Sequence, residues 1–355
     1  MTASVANQEI PKSNGITDGI DGYHRRVLIT GLRRSGKTSC KRVVFNGTAP
    51  KDTFFVQTTQ ELEKTRFNSI IPLELWDLPG NEDVLDEDLQ QYLQLVHAVV
   101  FVIDINDHWF NPIAQFSDML AAATEAKALH LVFHIFVHKM ETLANENKNA
   151  KFNDIQRRIN DEIDEQNLQS SPLVRSIAFH ATSIYDHSIY EAFSSVVTRL
   201  IPQETLGQYE NLLNSVHLSC GSKYAFLFDL KACLRLSANQ ETHEMPTFSL
   251  SVEYLKLLTS MSGAIGTGLR EGTTDDAYSC QLVLSETIVA FWQINKELCL
   301  IMGLSSANWR AQRATIEYNV LMYRETLLRV LEVIEKHRKS NAAAIKGPTT
   351  ARPVS

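Results

Sequence analysis

Arg26-Val27-Leu28-Ile29-Thr30-Gly31-Leu32-Arg33-Arg34-Ser35-Gly36-Lys37-Thr38-Ser39 decides the fold of this chain. A short apolar run, Val27 to Ile29, stops at a complete phosphate-loop pattern, Gly31 to Thr38. The glycines let the backbone turn tightly, so that consecutive N–H groups converge on a phosphate chain at the positive end of the helix that starts here. Lys37 is placed to reach the outer phosphates, and the Thr38 hydroxyl to bind a magnesium ion that bridges them. Cys40, Val43 and Val44 recur at helical spacing, which completes the order strand, loop, helix that the motif requires.

Working outward, 355 residues suit two domains with separate cores. With 44% hydrophobic and 21% charged residues and a formal charge of -7, the composition is that of an ordinary soluble protein without a basic footprint for nucleic acid. The five cysteines stand singly inside apolar segments, which suits a reducing compartment better than a disulfide framework or a zinc site. Residues 1–23 and 339–355 read as disordered tails around a nucleotide-binding domain, 24–203, and a smaller domain, 204–338. No apolar run approaches the roughly 20 residues needed to span a bilayer, so any membrane residence is expected to come through partners.

Beyond the first helix, Phe54 to Val56 lead to Thr58 and Thr59, either a switch loop whose threonine completes the magnesium shell or a solvated polar loop. Leu73 to Trp76 form a strand that ends on Asp77-Leu78-Pro79-Gly80-Asn81, where Asp77 can hold magnesium through water and the Gly80 amide can meet a third phosphate. Ala98 to Ile103 and Leu131 to Val137 are continuous apolar runs, expected as central parallel strands. The second closes on His138-Lys139-Met140-Glu141, where a carboxylate can accept two hydrogen bonds from guanine and the Lys139 stem can lie along the ring; surface charges at a strand end are the alternative. A last strand, Ser176 to Phe179, leads to Thr182-Ser183-Ile184, whose backbone amides can approach the base from the other side. A helix from Ile189 to Leu200 closes a doubly wound α/β domain with its site at the strand C-terminal ends.

The second half reads helix (Thr205 to Cys220), two strands (Ala225 to Leu230, Cys233 to Leu236), helix (through Tyr254 to Met261), and three strands (Cys280 to Leu284, Thr287 to Ile294, Leu298 to Leu304). A long final helix then carries Ile316, Val320, Tyr323, Leu327, Val330 and Ile334 as one apolar stripe, expected to pack mostly on its own sheet. Gly263 to Asp276 is a low-complexity loop.

The order of phosphate loop, switch threonine, Asp-x-x-Gly, lysine-acid base motif and Thr-Ser turn resembles a small GTPase. The double arginine of the loop, Val43-Val44-Phe45, Trp76-Asp77 with Pro79-Gly80, His138-Lys139 and Thr182-Ser183-Ile184-Tyr185-Asp186-His187-Ser188 look like the RagC/RagD branch of the Rag GTPases. That resemblance implies nucleotide contacts from Gly31, Arg33, Arg34, Ser35, Gly36, Lys37, Thr38, Ser39, Thr59, His138, Lys139, Glu141, Ser183 and Ile184. It further implies metal contacts from Thr38, Thr59 and Asp77, a hydrolytic role for Gly80 and Asn81, and GTP/GDP with Mg²⁺ as ligands. For the second domain it implies a roadblock-like α+β fold that pairs with a RagA/RagB-type GTPase. It also implies amino-acid signalling to the TORC1 kinase complex from a membrane-tethered scaffold at the vacuole or lysosome, under GTPase-activating and exchange factors. Two residues depart from the branch: Glu141 stands where it has Asp, and Asn81 where it has Gln. Asn is one methylene short of the usual reach to the attacking water, so turnover is expected to be slow; Arg33 and Arg34 either add charge in cis or face solvent. The rival readings are a P-loop kinase of small molecules, which would want a lid rich in phosphate-binding arginines, and a subunit whose nucleotide serves interaction with little turnover.

Overall fold

A computed structural model describes residues 24–80, 86–239, 245–265 and 278–345. The first domain opens with β1 (Arg25–Thr30), α1 (Lys37–Phe45) and a 3₁₀ turn at Pro50–Phe55, followed by β2 (Glu63–Phe67) and β3 (Leu73–Asp77). It continues through α2 (Asp86–Leu95), β4 (Ala98–Asp104), α3 (Phe110–Glu125), β5 (Val132–His138), α4 (Asn145–Glu165), β6 (Ala178–Ala181) and α5 (Ser188–Leu200). The six-stranded sheet has the order β2-β3-β1-β4-β5-β6 and is parallel except for β2, which pairs antiparallel with β3.

Every residue of β4 is buried, and β5 is buried from Phe133 onward, as expected for strands covered by helices on both faces. On one face Leu28, Val99, Phe101 and Ile135 pack with Ile113, Phe116 and Leu120 of α3 and Ile155 and Ile159 of α4. On the other, Val27, Ile29, Val100 and Val102 meet Cys40, Val43 and Val44 of α1 and Phe193, Val196 and Val197 of α5. Two strands differ from their sequence-based expectation. β2 gives no apolar run because it lies at the sheet edge and alternates Glu63, Lys64, Thr65, Arg66 with mostly exposed side chains. β6 starts later than Ser176, since Pro172–Ser176 forms a 3₁₀ turn anchored by buried Leu173.

The second domain consists of α6 (Gln203–Cys220), β7 (Tyr224–Asp229), β8 (Leu234–Ala238), α7 (Met245–Ile265), β9 (Ser279–Val283), β10 (Thr287–Gln293), β11 (Leu298–Ser305) and α8 (Ser306–Ile345). Its sheet, in the order β8-β7-β11-β10-β9, is antiparallel throughout. Gly221 ends α6 in the left-handed conformation, the cap expected from sequence. In the stripe of α8, Ile316, Val320, Tyr323 and Leu327 are buried, and the helix packs on α6 as well as on β10 and β11. The helix also runs to Ile345, into the segment expected to be a tail, where Ala342 to Ala344 are strong helix formers. Residues 1–23, most of the low-complexity loop, and 346–355 lie outside the described residues. Among the described residues no helix is long and apolar enough to cross a membrane.

The apolar core on the α1 and α5 face of the first domain continues without a break into the second. Polar links flank it: the Arg235 amide donates to Ser194 Oγ at 2.9 Å, His187 Nε2 lies 2.7 Å from Glu253, and the Lys256 ammonium sits 4.0 Å over the Tyr190 ring. The turn after β2 also meets the turn after β7. The Ser69 hydroxyl donates to Asp229, and Lys231 donates to the Asn68 carbonyl.

Buried histidines make this fold acid-sensitive. Burial lowers the pKa of His134 to about 2 and that of His138 to about 4, so both stay neutral while the unfolded chain takes up protons below about pH 6.5. A lowered pKa stabilises the fold above the unfolded value, and this contribution fades as pH falls toward the folded one. At pH 5 each histidine then contributes about 2 kcal/mol less. Asp229 works the other way: burial raises its carboxyl to about 7, favouring the fold below that pH. With His97 and His180 also lowered to about 4, the histidines outweigh it. Thermal unfolding is expected to give a lower Tm at pH 5 than at pH 7.5; an equal or higher Tm at pH 5 contradicts this.

Candidate functional site

β1 and β3 are adjacent and in register, with Ile29 opposite Asp77, so the loop after β1 and the turn after β3 emerge side by side. The loop enters α1 through Gly36, at φ 104, where a Cβ would lie 2.6 Å from the His138 ring. Glycine is therefore required there by both backbone and space. The buried Lys37 ammonium donates to the carbonyls of Gly31 and Leu32, each at 2.8 Å, and burial lowers its pKa to about 8 against the opposing charge of Asp77. Ser35 is 1% exposed and its Oγ has no hydrogen-bond partner among the described residues, while Arg33 and Arg34 are exposed. Ser39 is partly buried on the first turn of α1.

Thr38, Asp77 and Thr59 meet. The Thr38 hydroxyl donates to Asp77 Oδ2 at 2.8 Å and lies 2.9 Å from Thr59 Oγ1. Asp77 is fully buried, yet its Oδ1 has no hydrogen-bond partner among the described residues. Hard oxygen donors converging beside a phosphate loop, with one buried carboxylate oxygen left over, fit magnesium. Among the described residues no group of three or more His, Cys, Asp or Glu side chains that could hold a metal occurs; the oxygen donors gathered here are two hydroxyls and one carboxylate.

At the other end of the site, Lys139 takes a left-handed backbone, φ 63, and its ammonium donates to Asp104 Oδ2 at 2.5 Å and to the Arg34 carbonyl at 2.9 Å. The base motif is thereby fastened to the phosphate loop. Glu141 is exposed beside it. His138, in contrast, is buried behind the loop, within 3.0 Å of Thr182 Oγ1 and 3.5 Å of Cys40 Sγ, so its ring supports Gly36 from below. The Thr182-Ser183-Ile184 turn is also partly committed. The Thr182 amide donates to the Val137 carbonyl and that of Ser183 to Ser188 Oγ, leaving Ile184 as the amide of the turn without such a partner among the described residues. Asn81 lies outside the described residues. Two residues missing from the sequence reading belong here. Asp104 holds Lys139, and its position at the end of a buried strand was the available signal. Lys41, a cation on an otherwise apolar helix face, carried a signal in its spacing of four from Lys37.

Residues 26–255 match the model of the Gtr1/RagA G protein conserved region. The chain belongs to the Gtr1/RagA family of G proteins. It is 30% identical to human Ras-related GTP-binding protein C over 345 residues, 93% of this chain and 84% of that protein. It is 32% identical to mouse Ras-related GTP-binding protein D over 332 residues, 91% of this chain and 72% of that one. With the GTP-binding protein gtr2 of Schizosaccharomyces pombe it shares 32% over 304 residues, 83% of this chain and 94% of that protein. As a Gtr1/RagA-family G protein it binds guanine nucleotides and hydrolyses GTP.

Gly80 gives this site a sensitive point. A Cβ there would fall 2.5 Å from the Arg33 amide nitrogen and 2.7 Å from Lys37 Nζ, so the phosphate loop would have to shift. Gly80→Ala is expected to weaken GTP by about tenfold or more, because positioning of the loop donors is lost. Titration with a fluorescent GTP analogue checks this, and unchanged affinity contradicts it.

Proposed function

We propose that this chain is the RagC/RagD-type subunit of a heterodimeric guanine-nucleotide switch. The observation that carries the reading is the meeting of Thr38, Thr59 and Asp77, because it gathers phosphate loop, switch threonine and Asp-x-x-Gly around one metal position. The branch is supported by relatives. Similarity to proteins C and D and to gtr2 runs over most of the chain, whereas the GTP-binding protein gtr1 of S. pombe matches over 50% of it at 26%.

In this reading Thr38, Thr59 and Asp77 would hold Mg²⁺. When bound, Mg²⁺ supplies charge neutralisation between the outer phosphates. Lys37 exchanges its two carbonyl acceptors for phosphate oxygens, and the Gly80 amide orders the loop around a third phosphate. A third phosphate would strengthen the hold on Thr59 that its contact with Thr38 already provides, which makes its segment the reporter of nucleotide state. Lys139 and Glu141 read the base, with Glu141 one methylene longer than the branch's Asp. Turnover is slow because Asn81 replaces the water-orienting Gln, and a GTPase-activating protein governs it.

The second domain is roadblock-like and pairs with a RagA/RagB-type GTPase. β9 is an edge strand of its sheet among the described residues, and Leu257 and Met261 on α7 are 52% and 46% exposed. Tyr254, buried on α7, lies beside Cys280 of β9, so the helix and the edge strand are neighbours, and together they would offer the pairing surface. The heterodimer acts in amino-acid signalling to TORC1 from a scaffold on the vacuolar or lysosomal membrane, where the chain is peripheral and otherwise cytoplasmic. The double substitution Leu257→Asp, Met261→Asp is expected to abolish co-purification with a co-expressed RagA/RagB-type subunit while bound nucleotide is kept. Undiminished co-purification contradicts the pairing surface.

A further inference from the structure

A buried lysine stands beside the metal-site side chains, and none of the phosphate chemistry above uses it. Lys41 follows Lys37 by four residues and Thr38 by three, so all three share one face of α1. Its side chain is 1% exposed. The ammonium lies 3.0 Å from Glu63 Oε1 and 3.4 Å from Asp77 Oδ2, the same oxygen that accepts the Thr38 hydrogen bond. Both contacts are ion pairs, so Lys41 acts here through its charge. A buried ammonium is costly unless paired, and an apolar side chain of the same length would fill the space without that cost. Packing alone therefore does not account for a lysine.

Without the metal, Lys41 and Lys37 are the cations that offset the charge of the buried Asp77 carboxylate among the described residues. With the metal, the same ammonium subtracts from the negative potential that attracts a divalent cation. Glu63, half-exposed at the start of β2, shares the ammonium and returns part of that potential. It stands four residues after Thr59, so the charge also joins the strand behind the switch threonine to Asp77.

We propose that Lys41 is a positioning residue whose charge, acting through Asp77, keeps the Mg²⁺ affinity of the site low, so that metal and nucleotide can leave. This rests on the reading of Thr38, Thr59 and Asp77 as the magnesium site. Related charges within a few ångströms typically change an equilibrium by about tenfold, which sets the size of the expected effect.

The experiment uses the full chain loaded with a fluorescent GDP analogue and measures its release rate against free Mg²⁺. Lys41→Met should lower the half-protecting Mg²⁺ concentration by about tenfold, Lys41→Arg should keep the native value, and GDP affinity in EDTA should not change. A general structural defect would instead weaken GDP in EDTA as well. An unchanged or raised Mg²⁺ requirement in Lys41→Met, with GDP binding intact, overturns the proposal. Should Lys41→Met fail to fold, Glu63→Gln decides: with the ammonium no longer shared, the Mg²⁺ requirement should rise severalfold, and no change overturns the proposal. Native protein that binds GDP without any Mg²⁺ dependence would mean that the magnesium site itself is misread, and the role of Lys41 falls with it.

Discussion

The hydrogen bond from Thr38 to Asp77 is the constraint on which the site depends. It joins residues 39 apart in sequence, and the contact between Thr38 and Thr59 adds a third segment. The bond exists because β1 and β3 lie parallel and adjacent, so that Asp77 ends its strand where α1 begins. Burial strengthens such a charge-assisted bond and fixes the carboxylate in one orientation. The unpartnered Asp77 Oδ1 is the reverse side of the same arrangement: one oxygen is committed to the protein and one is left for chemistry.

Strand β2 extends this constraint across the molecule. Glu63 at its start meets Lys41 near Asp77, while Asn68 and Ser69 just beyond its end meet Lys231 and Asp229 of the second domain. A short, exposed edge strand thus touches both the cluster around Asp77 and the neighbouring domain. α5 provides the apolar counterpart, since its buried face belongs to a core shared by both domains and Ser194 is bonded to β8. The two sheets are joined through these elements rather than by a free linker, and α6 begins within three residues of the end of α5.

Much of this was legible in sequence because the informative segments are buried on both sides. The runs of β4 and β5, the phosphate loop and the final helix stripe each appear where hydrophobic periodicity and glycine placement require. β2 was not legible, since an edge strand with solvent on one side needs no apolar run. Within the site, the fold brings Thr38, Thr59 and Asp77 together, a meeting that the Thr58-Thr59 segment by itself left open. The inward turn of His138 and the use of the Ser183 amide by Ser188 could not be read, because both depend on contacts between segments far apart or on side-chain competition for a backbone donor. Lys41 was passed over for a similar reason: its partners come from two other strands, and only the fold places them.

The proposal that this geometry holds a guanine nucleotide together with a magnesium ion is tested most directly by what the protein carries when purified. Full-length chain, expressed and purified in magnesium-containing buffer, denatured and analysed by ion-pair chromatography, should release GDP or GTP in near-stoichiometric amount, and purification in EDTA should lower that occupancy. Release of adenine nucleotide in place of guanine, or guanine occupancy indifferent to EDTA, would contradict the account.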